Sequence, residues 1–155
     1  MYHFLTLRYD CSPAGALREM GLREYALPFD WVVSTISSLE ECFKDNFSKF
    51  HTGLHFNYNK KRLIDAYGFE FPHDYPLETA ELDTVSKEDT FFSEEEERGI
   101  VEDWEKYYST VKEKYERRIQ RFLTIVQSDK PIMVLCRHGN SDVMILQELL
   151  KKILQ

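Results

Sequence analysis

Between Tyr2 and Arg8, Phe4, Leu5 and Leu7 stand among β-formers with a rough two-residue alternation, and the segment predicts a strand. Asp10 and Ser12 are helix-capping types, and Pro13 suits a first helical turn. Ala14 to Met20 then predicts a short helix with Gly21 where a C-terminal cap belongs. Strand, sharp turn and helix thus follow within twenty residues, with Cys11 at the helix entrance. The Pro28-Phe29-Asp30-Trp31 segment reads as extended or turning. Ser37 or Ser38 is the expected cap of a second helix, with Leu39, Cys42, Phe43, Phe47 and Phe50 on one face and an end at His51-Thr52-Gly53.

Two β-like runs follow, His55 to Tyr58 and Ala66 to Phe71, and predict a hairpin turning at Asn59-Lys60-Lys61. Glu78 to Thr90 is a polar connection. Ser93 and Glu96 form a capping-box pattern ahead of a long helix, expected over 94–127 with its apolar stripe running from Ile100 and Trp104 to Phe122 and Val126. Ile132 to Cys136 is a continuous apolar run, the mark of a strand buried on both faces. A last amphipathic helix, capped by Asn140, Ser141 or Asp142, carries Val143, Leu146, Leu149, Leu150 and Ile153. This order predicts an α/β fold, a small mixed sheet flanked by helices. The chain stops directly after an amphipathic helix where a further strand is expected, so the single domain over 1–155 reads as C-terminally short.

At 155 residues, of which 43% are apolar, folding buries roughly 70% of the unfolded chain's surface, enough for one core without staples. A formal charge of −7 argues against a nucleic-acid partner, which calls for a basic face. The acids gather at Glu94-Glu95-Glu96-Glu97 and between Glu78 and Asp89, a pattern of solvated loop and helix start. The three cysteines, Cys11, Cys42 and Cys136, form neither a disulfide framework nor a zinc knuckle and fit a reducing compartment. With no signal-peptide pattern and no stretch of ~18 apolar residues, neither secretion nor a membrane is expected. The cytoplasm, of a cell or of a virus-infected cell, is the expected location. No cofactor or metal is expected, since there is no Gly-rich phosphate loop and no ligand spacing for zinc.

Cys11 is the most informative residue. Unpaired N–H groups and the positive end of a helix dipole lower a thiol pKa and supply donors for an oxyanion. The same layout also fits a small apolar residue packed at a strand end. A nucleophile needs a base. His3 reads as structural or exposed, and His51 and His55 as surface residues beside Gly53. His73, held between Pro72 and Pro76, has the stiffness a base requires, and the same position also fits a surface-loop histidine; Asp74 is not expected to orient it, because neighbours in an extended chain point opposite ways. If the first and last strands are parallel, His138 shares a sheet edge with Cys11 and competes as base or partner, with Arg137 beside it as an anion contact; it also fits a loop histidine at a strand end. Asp30, set between two large aromatics, should be partly buried and need a donor. It can orient a histidine as the third member of a triad, cap a turn, or pair with Arg18 or Arg23. Cys42 and Cys136 read as inert core residues.

Leu7-Arg8-Tyr9-Asp10-Cys11-Ser12-Pro13-Ala14, then Leu17-Arg18, Gly21-Leu22-Arg23 and Pro28-Phe29-Asp30-Trp31, resemble the putative papain-like cysteine peptidase family of bacteria and viruses. Phe71-Pro72-His73-Asp74-Tyr75 looks like its histidine segment, and Arg117 to Leu123 and Ile132 to Arg137 are similar to its later part. The resemblance implies a cysteine hydrolase, a peptidase or acyl-transfer enzyme, with Cys at a helix entrance and His later, on a strand. Cys11, His73 and Asp30 are then the catalytic candidates, and Ser12, Asp74, Arg137 and His138 the substrate-binding ones. The substrate would be a protein, a peptide or a small molecule. The alternative is a non-catalytic binding module of the same fold that recognises an anionic small molecule, a glycan or a protein partner. Neither substrate nor oligomeric state follows from the sequence.

Overall fold

A computed structural model describes residues 2–8, 12–58, 61–78, 98–137 and 140–153. Strand β1 (His3–Arg8) lies parallel to β5 (Ile132–Arg137), in register from His3 opposite Ile132 to Arg8 opposite Arg137. Parallel pairing places the carboxyl ends of both strands at the same edge, the condition on which His138 was set beside Cys11. Helix α1 (Ser12–Glu19) follows β1 and ends as its sequence predicts. Gly21 takes φ +68°, its N–H reaches Arg18 O at 3.1 Å and that of Leu22 reaches Leu17 O at 2.9 Å. This is the paired bonding of a Schellman motif, which satisfies carbonyls the helix end would leave open.

Helix α2 (Ile36–Lys44) is capped by Thr35, not by Ser37 or Ser38. Thr35 has extended backbone, and its hydroxyl oxygen accepts from Ser38 N at 3.1 Å, so both serines fall inside the first turn. The helix stops at Lys44, earlier than its apolar spacing predicts. Asn46 and Phe47 take left-handed φ of 51° and 61°, and Phe47 and Phe50 reach the core from the following turns.

The second sheet has three antiparallel strands in the order β2 (His55–Phe56), β3 (Leu63–Ile64), β4 (Glu70–Phe71). The expected two-stranded hairpin is therefore corrected, because Leu63–Ile64 pairs with both runs. The missed signal is Asp65. Its carboxylate accepts from the N–H groups of Tyr67 (2.9 Å) and Phe69 (3.0 Å), closing a tight turn that Gly68 completes at φ +89°.

Residues 98–101 are not helical. Ile100 bridges to Leu77, its N–H bonds to Lys61 O at 3.1 Å, and that of Val101 to Pro76 O at 3.0 Å. With these donors committed to tertiary partners, the long helix begins only after a 3-10 turn at Trp104–Tyr107, as α3 (Tyr108–Val126). The start expected at 94 lies outside the described residues. Helix α4 (Asn140–Ile153) buries Leu146, Leu149 and Leu150 as read. Met133 of β5 is 46% exposed, so the expectation of burial on both faces is corrected. A continuous apolar run does not distinguish two covered faces from one.

The α/β organisation is thus present, its strands divided between two small sheets. The core centres on Phe29, 1% exposed. Its ring meets Phe43, Phe47, Phe50, Phe69 and Phe122 at centroid distances of 5.6–6.0 Å. One residue of the Pro28–Trp31 turn therefore joins α2, the antiparallel sheet's last turn and α3.

Candidate functional site

The two residues after Phe29 turn in other directions. Asp30 is buried, 3% exposed, and points at β1. Its Oδ1 accepts from Thr6 Oγ1 at 2.6 Å, its Oδ2 accepts from Leu27 N at 2.9 Å, and Arg23 Nε stands 3.2 Å from Oδ2 as an ion pair. A buried carboxylate needs this much compensation. Of the roles left open by the sequence, turn capping and pairing with Arg23 are both realised.

Trp31 is half-buried and lies against the ring of His73, with centroids 5.8 Å apart and planes at 82°. The guanidinium carbons of Arg18 and Arg23 sit 5.6 and 5.5 Å from the Trp31 ring centre, within cation–π range. Arg18 belongs to α1, the helix that begins one residue after position 11. Trp31 thereby links that helix to the histidine segment. Cys11 and His138 lie outside the described residues, as do the side chains of Ser12, the first residue of α1, and Arg137, the last of β5. The structure brings His73, Trp31, Asp30 and Arg18 into one neighbourhood.

His73 is exposed and sits two residues beyond β4 rather than on a strand. Its neighbours fix the segment. Asp74, its side chain 3% exposed, accepts from Tyr115 Oη at 2.5 Å and is ion-paired with Lys114. Tyr75, 4% exposed, is hydrogen-bonded through its hydroxyl to His51 Nε2 at 2.9 Å. Beside them lies an open cleft of about 530 Å³, whose walls include His73, Asp74, Tyr107, Lys114 and Arg117.

His51 corrects the sequence reading most clearly. It was expected on the surface and is 0% exposed. Its ring stacks on Tyr108 (5.3 Å, 8°) and meets Phe71 (4.8 Å) and Tyr115 (5.2 Å). Its backbone N–H donates to Asp65 Oδ2 at 2.9 Å, and its carbonyl accepts from Tyr108 Oη at 3.0 Å. Burial lowers its pKa to about 4, and Nδ1 is buried without a hydrogen-bond partner among the described residues. The Gly53 turn suggested exposure, and nothing local announced the tyrosines that enclose the ring. His55, by contrast, is exposed as read. Cys42 is 0% exposed and burial pushes its thiol pKa well up, which makes it the inert core residue expected.

No helix among the described residues is long and apolar enough to cross a membrane. No curated protein and no solved structure matches the chain. One family model does match, described as "Putative papain-like cysteine peptidase (DUF1796)", and it covers residues 3–155. The chain, from β1 through α4, belongs to this family.

Proposed function

We propose that the protein is a cysteine hydrolase in which Cys11 is the nucleophile and His73 the general base and then acid. The observation that carries the reading is the Trp31 bridge. Through Arg18 and His73 it ties the helix that starts at Ser12 to the imidazole of the histidine segment. Family membership supports the same chemistry.

In the proposed reaction His73 takes the Cys11 proton. The thiolate adds to a substrate carbonyl, and N–H groups at the α1 entrance, that of Ser12 among them, hold the oxyanion. The C–N or C–O bond then breaks, with the His73 imidazolium donating its proton to the leaving group. Water, deprotonated by His73, hydrolyses the thioester and restores the thiol; an acceptor amine in place of water gives acyl transfer. Asp30 serves this pair by position. Its bonds to Thr6, Leu27 and Arg23 fix the turn that presents Trp31 to His73, so it sets the imidazole's orientation through the indole. Arg137 and His138 are proposed to border the substrate site at the carboxyl edge of the parallel sheet. Work in a reducing cytoplasm is consistent with a free nucleophilic thiol.

The test is covalent trapping. A peptidyl epoxide incubated with the chain should label Cys11 in peptide mapping by mass spectrometry, and His73→Ala should slow labelling about 100-fold or more. Labelling at the same rate in both proteins, or spread evenly over the cysteines, would argue against the pair. A Cys11→Ser variant that kept the full biological effect would favour the binding-module alternative.

A further inference from the structure

The cleft beside His73 has one more cation than carboxylate on its wall, on a chain that is acidic overall. Lys114, Arg117 and Arg118 are spaced i, i+3, i+4 and share one face of α3. Lys114 is neutralised by Asp74, while Arg117 is exposed on the cleft wall and has no hydrogen bond or ion pair among the described residues. Glu113 stands one turn before Arg117 without an ion pair to it there. Arg118 packs its guanidinium over Tyr115, 5.4 Å from the ring centre, and its Nη1 is buried without a hydrogen-bond partner among the described residues. Away from the cleft wall, Arg18 and Arg23 lie on Trp31, whose ring meets His73, and Arg23 is ion-paired with Asp30. The charged side chains on the cleft wall are Lys114 and Arg117 against Asp74, a surplus of one cation in a protein whose net charge is −7. A local surplus of this sign on an acidic chain attracts an anion and repels basic partners.

We infer that the cleft is the subsite for an acidic side chain of the substrate, an aspartate or glutamate near the bond that reacts, with Arg117 as its main partner. The inference rests on the reading of Cys11 and His73 as the reacting pair and adds the substrate class. An open groove of about 530 Å³ with Tyr107 on its wall suits an extended peptide better than an enclosed small anion. Arg117 supplies a planar fork that matches a carboxylate. Lys114, on the same wall, is already held by Asp74 and does not compete for the ligand.

The test uses the Cys11→Ala chain, so that nothing is consumed, with three fluorescein-labelled hexapeptides that differ only in a central Glu-Glu, Gln-Gln or phosphoserine pair. Anisotropy titration at low salt should show the Glu-Glu peptide binding about tenfold more tightly than the Gln-Gln peptide, and 0.3 M salt should erode that margin. Arg117→Gln should weaken the Glu-Glu peptide about three- to tenfold. Arg121→Gln makes the same charge change on α3 outside this cleft and should have less effect. Equal affinity for the Glu-Glu and Gln-Gln peptides, binding of neither, binding of the phosphopeptide alone, or equal effects of the two arginine variants each overturns the inference. Its failure is separable from that of the catalytic reading. A Cys11 thiol that ionises normally with acid selectivity intact sinks only the catalysis, and a depressed thiol pKa without acid selectivity sinks only the subsite.

Discussion

Replacing His51 with glutamine should change how stability depends on pH. The ring is 0% exposed, its Nε2 is hydrogen-bonded to the Tyr75 hydroxyl, and burial holds its pKa at about 4 against an ordinary value of 6.5. Between those two values the unfolded chain binds a proton at this site that the folded chain refuses. The stabilisation is therefore complete above pH 6.5 and is lost as pH falls through 4. At about 1.4 kcal/mol per pH unit, the gap amounts to about 3 kcal/mol. Asp65 works the other way. Burial pushes its pKa up to about 6 in spite of its N–H donors, so its contribution is full below the ordinary 3.8 and is lost as pH rises through 6. The two slopes partly cancel in the wild-type protein, and only the difference between wild type and variant isolates the histidine. Urea unfolding of both proteins at half-unit intervals from pH 4 to 7.5 measures it. Glutamine leaves a cavity and weakens the site at every pH, so the variant should be the less stable protein at pH 7. That margin should shrink by about 3 kcal/mol on going to pH 4. Parallel stability curves for the two proteins would refute the argument that the imidazole is buried neutral.

Asp30→Ala should destabilise the fold by about 3–5 kcal/mol, because it strands a largely buried Arg23 and frees two donors at once. Thr6→Val should cost about 1–3 kcal/mol, and chemical denaturation of both variants checks the order. If Asp30→Ala cost under 1 kcal/mol, the turn would not depend on these bonds. Under native conditions iodoacetamide should leave Cys42 unmodified and should label it only after unfolding, as peptide mapping will show. Rapid native labelling there would contradict the packed core.

Much of this architecture is readable from local rules. β1, α1 with its Gly21 cap, β5 and α4 follow from β-forming and apolar runs, capping chemistry and helical spacing, because local preference is enough to name those elements. The errors arise where a tertiary partner decides. Ile100 continues the helical stripe of α3, yet its N–H and that of Val101 are taken by the carbonyls of Lys61 and Pro76. Leu63–Ile64 is too short to register as a strand, and the Asp65 turn that sets it depends on side-chain bonds to backbone. Around His73, the stiff proline-bracketed segment is legible. The Trp31 contact is not, because 42 positions separate the two residues and the packing of Phe29 brings them together. The spacing of Lys114 and Arg117 on α3 is visible in the sequence, but its meaning needs the cleft that both line.

The central claim is that the sulfur of Cys11 ionises beside the His73 imidazole, and the rate of Cys11 alkylation between pH 4 and 10, in wild type and His73→Ala, tests it most directly. A thiol pKa well below the free value of ~8.5, rising toward that value in the variant, is the predicted result. A pKa near ~8.5 that is the same in both proteins would contradict it.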